Sequence, residues 1–189
     1  MSYAFLSVAP DVVARSPMER AARAAGARFE VRDGWSVAVE YPDGDFGVTW
    51  ADASHLGKLE LHGPHGLPLG EARREGDAWV CPLTRTRALV IGDAGGREGV
   101  DATSGYAALR IQGPQARELF ARFCALDLRP HVTPPGAFRP GSVARTPGMV
   151  LCEDADSYLA LFGAAVGEYV WTVVEDAGRH LGGGPVPYA

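Results

Sequence analysis

A six-residue pattern occurs twice in this chain. Leu59-Glu60-Leu61-His62-Gly63-Pro64 and Leu109-Arg110-Ile111-Gln112-Gly113-Pro114 share Leu-x-[Leu/Ile]-x-Gly-Pro. Apolar residues at every second position read as a half-buried strand, and Gly-Pro is a strong strand terminator. After the second copy, Ala116, Leu119, Phe120 and Phe123 recur at helical spacing. Glu118 and Arg122 stand one turn apart on the opposite face, as an i, i+4 pair. Strands are predicted near 142–152 and 157–162, and Pro147-Gly148 must bend the first of them. A last helix covers about 165–181. After the first copy, His65-Gly66-Leu67-Pro68 forbids a helix, so 64–70 is non-helical. A hairpin still follows, near 78–91. The repeat therefore predicts an α+β fold. It consists of two duplicated ferredoxin-like halves, the first missing a helix, with about three helices packed on antiparallel sheet.

The rest of the chain fits that plan. Ser16, Pro17 and Glu19 form a capping box with proline at the first helical position, so a helix over 16–26 is expected. Met18, Ala21, Ala22 and Ala25 make its inner stripe, and Gly26 ends it. Extended structure follows. Trp35, Val37, Val39 and Tyr41 alternate with Ser36, Ala38 and Glu40, and Asp33-Gly34 signals the preceding turn. On the last helix, Val166, Tyr169, Val170, Val173, Ala177 and Leu181 form one stripe. Trp171 lies about 100° round from Val170, at the stripe's edge, where a tryptophan can anchor a partner. The loop 129–141 holds Pro130, Pro134 and Pro135 and is stiff enough to be presented to a partner at low entropic cost. A length of 189 residues suits one domain over 16–181. Residues 1–15 read as a loose arm and 182–189, GGGPVPYA, as a flexible tail.

Charge and composition exclude several functions. Eighteen Lys+Arg against 23 Asp+Glu give a net charge of −5, the wrong sign for a nucleic-acid surface. Lys58 is the only lysine. No apolar run reaches the ~20 residues that span a bilayer. The opening residues lack the basic stretch of a signal peptide, so the expected address is the cytoplasm. Cys81, Cys124 and Cys152 are widely spaced among apolar residues and read as buried thiols. The five histidines show no metal-ligand spacing, and no Gly-x-Ser-x-Gly elbow exists. Gly92–Gly99 lacks the spacing and the lysine of a phosphate loop. Asp154 and Asp156 sit at a predicted turn, where aspartate is common for backbone reasons. No catalytic constellation emerges from the residues themselves.

Longer stretches carry a resemblance. Asp52-Ala53-Ser54-His55-Leu56-Gly57-Lys58, continuing to Gly63-Pro64, resembles the "D-x-SH-[ML]-GK … GP" stretch of the aminomethyltransferase (glycine-cleavage T-protein) superfamily. Ala108-Leu109-Arg110-Ile111-Gln112-Gly113-Pro114 with Ala116-Arg117 resembles its "AL-x-x-QGP-x-AR". Cys124–Leu128, Tyr169-Val170-Trp171 and Asp176-Ala177-Gly178 look most like the gamma subunit of heterotetrameric sarcosine oxidase. The resemblance implies a folate-binding fold. It also brings departures: the Thr-Asn-Asp element after Gly63-Pro64 is replaced by a short loop, and the C-terminal barrel is absent. Asp77 alone stands near the family's catalytic aspartate, without its surrounding motif. Glu153 alone is left to reach a pterin. Asp77 and Glu153 are thus the weak folate-contact candidates, and the resemblance implies no cofactor bound by this chain alone, tetrahydrofolate being the one candidate. The implied function is a non-catalytic subunit of a flavin- and folate-dependent amine oxidase, with FAD, FMN and NAD on partner subunits. The alternative is a free-standing tetrahydrofolate-dependent one-carbon transferase.

Overall fold

The structure is a computed structural model that describes residues 12–188. A short strand β1 (Ala14–Arg15) leads into α1 (Glu19–Ala24), then β2 (Arg28–Arg32) and β3 (Trp35–Glu40). These strands form a small sheet in the order β1-β3-β2. The first half follows: β4 (Thr49–Asp52), β5 (Lys58–His62), β6 (Arg73–Glu75), β7 (Ala78–Thr84) and β8 (Arg87–Ile91). The second half runs β9 (Val100–Asp101), β10 (Tyr106–Gln112), α2 (Ala116–Ala121), β11 (Phe138–Val143), β12 (Thr146–Asp154), β13 (Ser157–Gly163) and α3 (Gly167–Arg179). The last element is β14 (Gly184–Pro185).

The duplication is visible in the strand order. One sheet reads β6-β7-β8-β5-β9 and the other β11-β12-β13-β10-β4-β14. In each, the repeated Leu-x-[Leu/Ile] strand pairs antiparallel with the second strand of the hairpin that follows it. Each then trades its outer neighbour: β4 joins the second half and β9 joins the first. The crossing points carry a second repeat, Asp52-Ala53-Ser54 and Asp101-Ala102-Thr103. Both aspartates accept the N–H two residues on, each at 2.9 Å. The Ser54 hydroxyl accepts the Ala108 N–H at 3.2 Å, and the Thr103 hydroxyl accepts the Lys58 N–H at 3.0 Å. The Ala53 and Ala102 N–H groups donate to the carbonyls of Ala108 and Lys58, both at 2.8 Å. A local Asx turn thus becomes the joint between the halves. Gly63 and Gly113, at φ 127° and 116°, occupy matching places after the repeat strands. A side chain at Gly113 would put its Cβ 2.7 Å from the Gly47 carbonyl oxygen, so only glycine fits there.

Alternation along β13 explains the layering. Tyr158, Ala160 and Phe162 face the helices, whereas Leu159 and Leu161 face the five-stranded sheet. All five are buried, as expected for a central strand covered on both faces.

Several expectations are corrected. The contact stripe of α3 is Gly167, Val170, Trp171, Val174 and Gly178, with Tyr169 48% exposed. Trp171 is 0% exposed and meets Trp50 edge-on, centroids 6.5 Å apart, so it is a core residue and not an edge anchor. The reason is glycine. A Cβ at Gly167 would lie 2.7 Å from Pro17 Cβ, and one at Gly178 2.6 Å from Trp50 Cζ3. Close approach at two small residues sets the helix rotation, and a count of apolar residues does not register it. The capping box does not form. Ser16 Oγ accepts the Met18 N–H at 3.0 Å, while the Glu19 carboxylate takes the Arg23 guanidinium at 2.7 Å. Residues 142–152 are a hairpin turn and a strand, not one bent strand. Ala144 and Arg145 adopt φ 48° and 62°, and Pro147 pairs in register with Ser142. The described part of the arm is not loose, since Ala14 and Arg15 pair with β3; residues 1–11 lie outside the described residues. The tail is ordered as far as Tyr188, and β14 pairs parallel with β4. Residues 64–70 are non-helical, as expected.

Candidate functional site

The two halves meet across a cleft of about 310 Å³. Asp77, Trp79, Ile91 and Gly92 line it from the first half. Arg110, Gln112, Glu153, Ser157 and Leu159 line it from the second. Asp77 follows the turn at Gly76, whose φ is 61°, and stands at the mouth of β7. Gly92 is fixed by contact, because a Cβ there would lie 2.8 Å from the Asp77 carbonyl oxygen. Glu153 sits in the bulge of β12, between Cys152 and Asp154. A bulge re-aims one side chain out of the ladder, and here it turns the carboxylate toward β10.

The structure therefore brings Asp77 and Glu153 to one site. Their states differ. Glu153 is held by Arg110 in a two-pronged pair, Nε to Oε2 at 2.7 Å and Nη2 to Oε1 at 2.8 Å. The paired side chains are 19% and 12% exposed. Ser157 Oγ donates to the same carboxylate at 3.4 Å, and Gln112 Nε2 donates to Ser157 Oγ at 3.2 Å. The hydrogen-bonding capacity of Glu153 is largely consumed within the chain. Arg110 comes from the repeat strand, and sequence reasoning passed it over because its partner lies 43 residues away. Asp77 takes part in no ion pair among the described residues.

Sequence reasoning also missed Tyr188. Its ring lies under the Arg110 guanidinium, 4.3 Å from centroid to carbon, and edge-on to His55, centroids 5.0 Å apart. A tyrosine that follows a glycine-rich stretch gave no signal of its own.

Burial shifts the neighbouring titratable groups toward their neutral forms. Burial lowers His55 to about 4, helped by the positive charges of Lys58, Arg110 and Arg32 and opposed by Asp33. Lys58 is 1% exposed and donates from Nζ to the carbonyls of Ser54 and Leu56, at 2.9 and 2.7 Å. Burial lowers it to about 8, against the pull of Asp52 and Asp101. Burial raises Asp52. These groups show no nucleophile–base geometry, and no cluster with metal-ligating composition exists among the described residues.

The His55 shift has a measurable consequence. The unfolded imidazole protonates near 6.5, the folded one only near 4. Between those values the unfolded state binds more protons, so stability falls as pH drops through the window. Asp52, with a raised folded pKa, works in the opposite direction above 3.8. Urea unfolding of wild type and His55→Gln from pH 7 to 4 should show the variant losing less stability than wild type on acidification. Equal losses would show that His55 carries no such linkage.

The sequence-derived partner residues are dispersed. Pro130, Pro134 and Pro135 are exposed. Pro130 edges a shallow groove of about 260 Å³ with Leu126, Leu128 and Arg117. Trp171 is not among its lining residues. The three cysteines are free and buried.

No family model matches the sequence, and no curated protein matches it. Solved structures do match. Aminomethyltransferase T of the glycine cleavage system from Bartonella henselae superposes with TM-score 0.73 at 14% identity, over 93% of this chain and 60% of that one. One chain of the heterotetrameric sarcosine oxidase from Corynebacterium sp. U-96, solved with pyrrole 2-carboxylate, superposes with TM-score 0.70 at 18% identity. This chain has the T-protein fold. It covers 96% of the matched sarcosine oxidase chain with 89% of its own length. Against the aminomethyltransferase, it spans about three-fifths of the longer protein. No helix among the described residues is long and apolar enough to cross a membrane.

Proposed function

We propose that this chain is a non-catalytic, gamma-like subunit of a multi-subunit amine oxidase of the sarcosine oxidase type, working in the cytoplasm on an N-methyl amine. FAD, FMN, NAD and folate then belong to partner subunits, and this chain buttresses them. The observation that carries the reading is the Arg110–Glu153 pair, with the Arg110 guanidinium stacked on the Tyr188 ring. It spends one of the two candidate folate contacts on an internal ion pair, and an aromatic ring lines the cleft beside it. A site needs several groups aimed together at one ligand, and here Asp77 is left with little company. The end-to-end match to one chain of a heterotetrameric oxidase supports the same reading. The exposed prolines Pro130, Pro134 and Pro135 are its proposed partner contacts.

A second reading, a free-standing tetrahydrofolate-dependent one-carbon transferase, draws on Asp77 and the cleft itself. Native purification separates the two. The untagged protein should elute with larger subunits and a flavin absorbance spectrum. Elution as a lone monomer without flavin would refute the subunit reading.

A further inference from the structure

The segment after α3 attaches to a sheet edge and carries Tyr188 into the cleft. Gly183 and Gly184 pass close over the sheet: a Cβ at Gly183 would meet Val48 Cγ1 at 2.8 Å and Trp50 Cζ3 at 3.0 Å. The segment then runs beside β4. Gly184 N–H donates to the Val48 carbonyl at 3.2 Å, and Val186 N–H to the Trp50 carbonyl at 2.9 Å. Pro185 and Pro187 have no N–H to give. The strap therefore donates only through alternate residues, and its remaining backbone contact is the short parallel pairing with β4 on the edge of a sheet. At its end the Tyr188 ring enters a slot between the Arg110 guanidinium and the His55 imidazole.

Tyr188 also stands between two cavities. It lines the inter-repeat cleft and, on its other side, a second cavity of about 290 Å³ bounded by Arg32, Trp35, Val37 and His55. A single side chain is the shared wall.

We propose that Gly184–Tyr188 is a releasable strap, with the Tyr188 ring as the built-in occupant of an aromatic slot between Arg110 and His55. Its release joins the two cavities into one trough. A ligand that displaces it must itself bring an aromatic ring to the slot. The strap is poised to open because it combines few hydrogen bonds with a glycine-rich approach, whereas the slot it fills is preformed on β10 and on the turn after β4.

The test is made on the isolated full chain, so its outcome does not depend on any partner and is separate from the subunit reading. In wild type, hydrogen exchange at the Gly184 and Val186 amides should be at least roughly tenfold faster than at β10 and β13 amides, through local opening. Exchange at the same rate as those strands would overturn the proposal. The second arm uses Tyr188→Ala and adds p-cresol, the missing side chain as a free molecule. The variant should bind it saturably, with a Kd on the order of 1 mM for so small a ligand. By NMR, the His55 midpoint should rise from about 4 toward 6.5 in the variant and return when p-cresol binds. Tyr188→Phe should behave as wild type. Gly183→Ala, which keeps the tyrosine in the sequence, should raise the His55 midpoint by lifting the strap and drawing the Tyr188 ring out of the slot. An unchanged midpoint in Tyr188→Ala, or p-cresol binding equally to wild type, would overturn the proposal.

Discussion

Trp171→Ala is expected to cost the isolated chain about 3–5 kcal/mol, the usual range for removing a fully buried tryptophan. Trp171 is 0% exposed, and its neighbour Trp50 is 1% exposed. The edge-on contact between the rings is lost as well. At this chain length, that corresponds to a fall in melting temperature of roughly 6–20 °C. Trp171 Nε1 has no hydrogen-bond partner, so the loss comes from packing and cavity, not from a broken bond. Calorimetry of the isolated chain checks this. A variant that melts within about 1 °C of wild type but fails to assemble would restore the interface role that the helix pattern suggested.

The second large effect concerns the cleft. Glu153→Ala leaves the Arg110 guanidinium mostly buried with no counter-charge, and should cost about 3 kcal/mol in urea unfolding. Replacing both residues, as Arg110→Leu with Glu153→Leu, should recover most of that loss, because a buried pair is worth little more than well-packed apolar side chains. The cycle distinguishes a pair that stabilises from one retained to occupy the site. A double variant as unstable as the single one would show that the pair is a net stabiliser of the fold.

Much of the fold was legible because local patterns and topology agree. The Leu-x-[Leu/Ile]-x-Gly-Pro repeat marks β5 and β10, and both take the same place in their sheets. The repeat placed the end of β10 before Gly113-Pro114, and the strand does end at Gln112. The Asp-Ala-[Ser/Thr] repeat was also on the page, but three residues without apolar alternation carry no strand signal. What failed depends on contacts between distant residues. The rotation of α3 is set by backbone approach at Gly167 and Gly178, which no hydrophobic period encodes. The tail's order comes from edge pairing with β4, a partner more than 100 residues earlier. Asp77 and Glu153 came from the family resemblance, by their position beside the strands it matches. Arg110 and Tyr188 did not, since charge pairing and ring stacking across the chain leave no local trace.

On the proposed reading, the cleft between the two halves does not bind folate. Titration of the purified wild-type chain with tetrahydrofolate by calorimetry tests it most directly. The expected result is no saturable heat up to roughly millimolar ligand, because one or two polar anchors do not offset the entropy of binding. Micromolar affinity that disappears in Asp77→Asn would contradict the account and make the chain a folate protein in its own right.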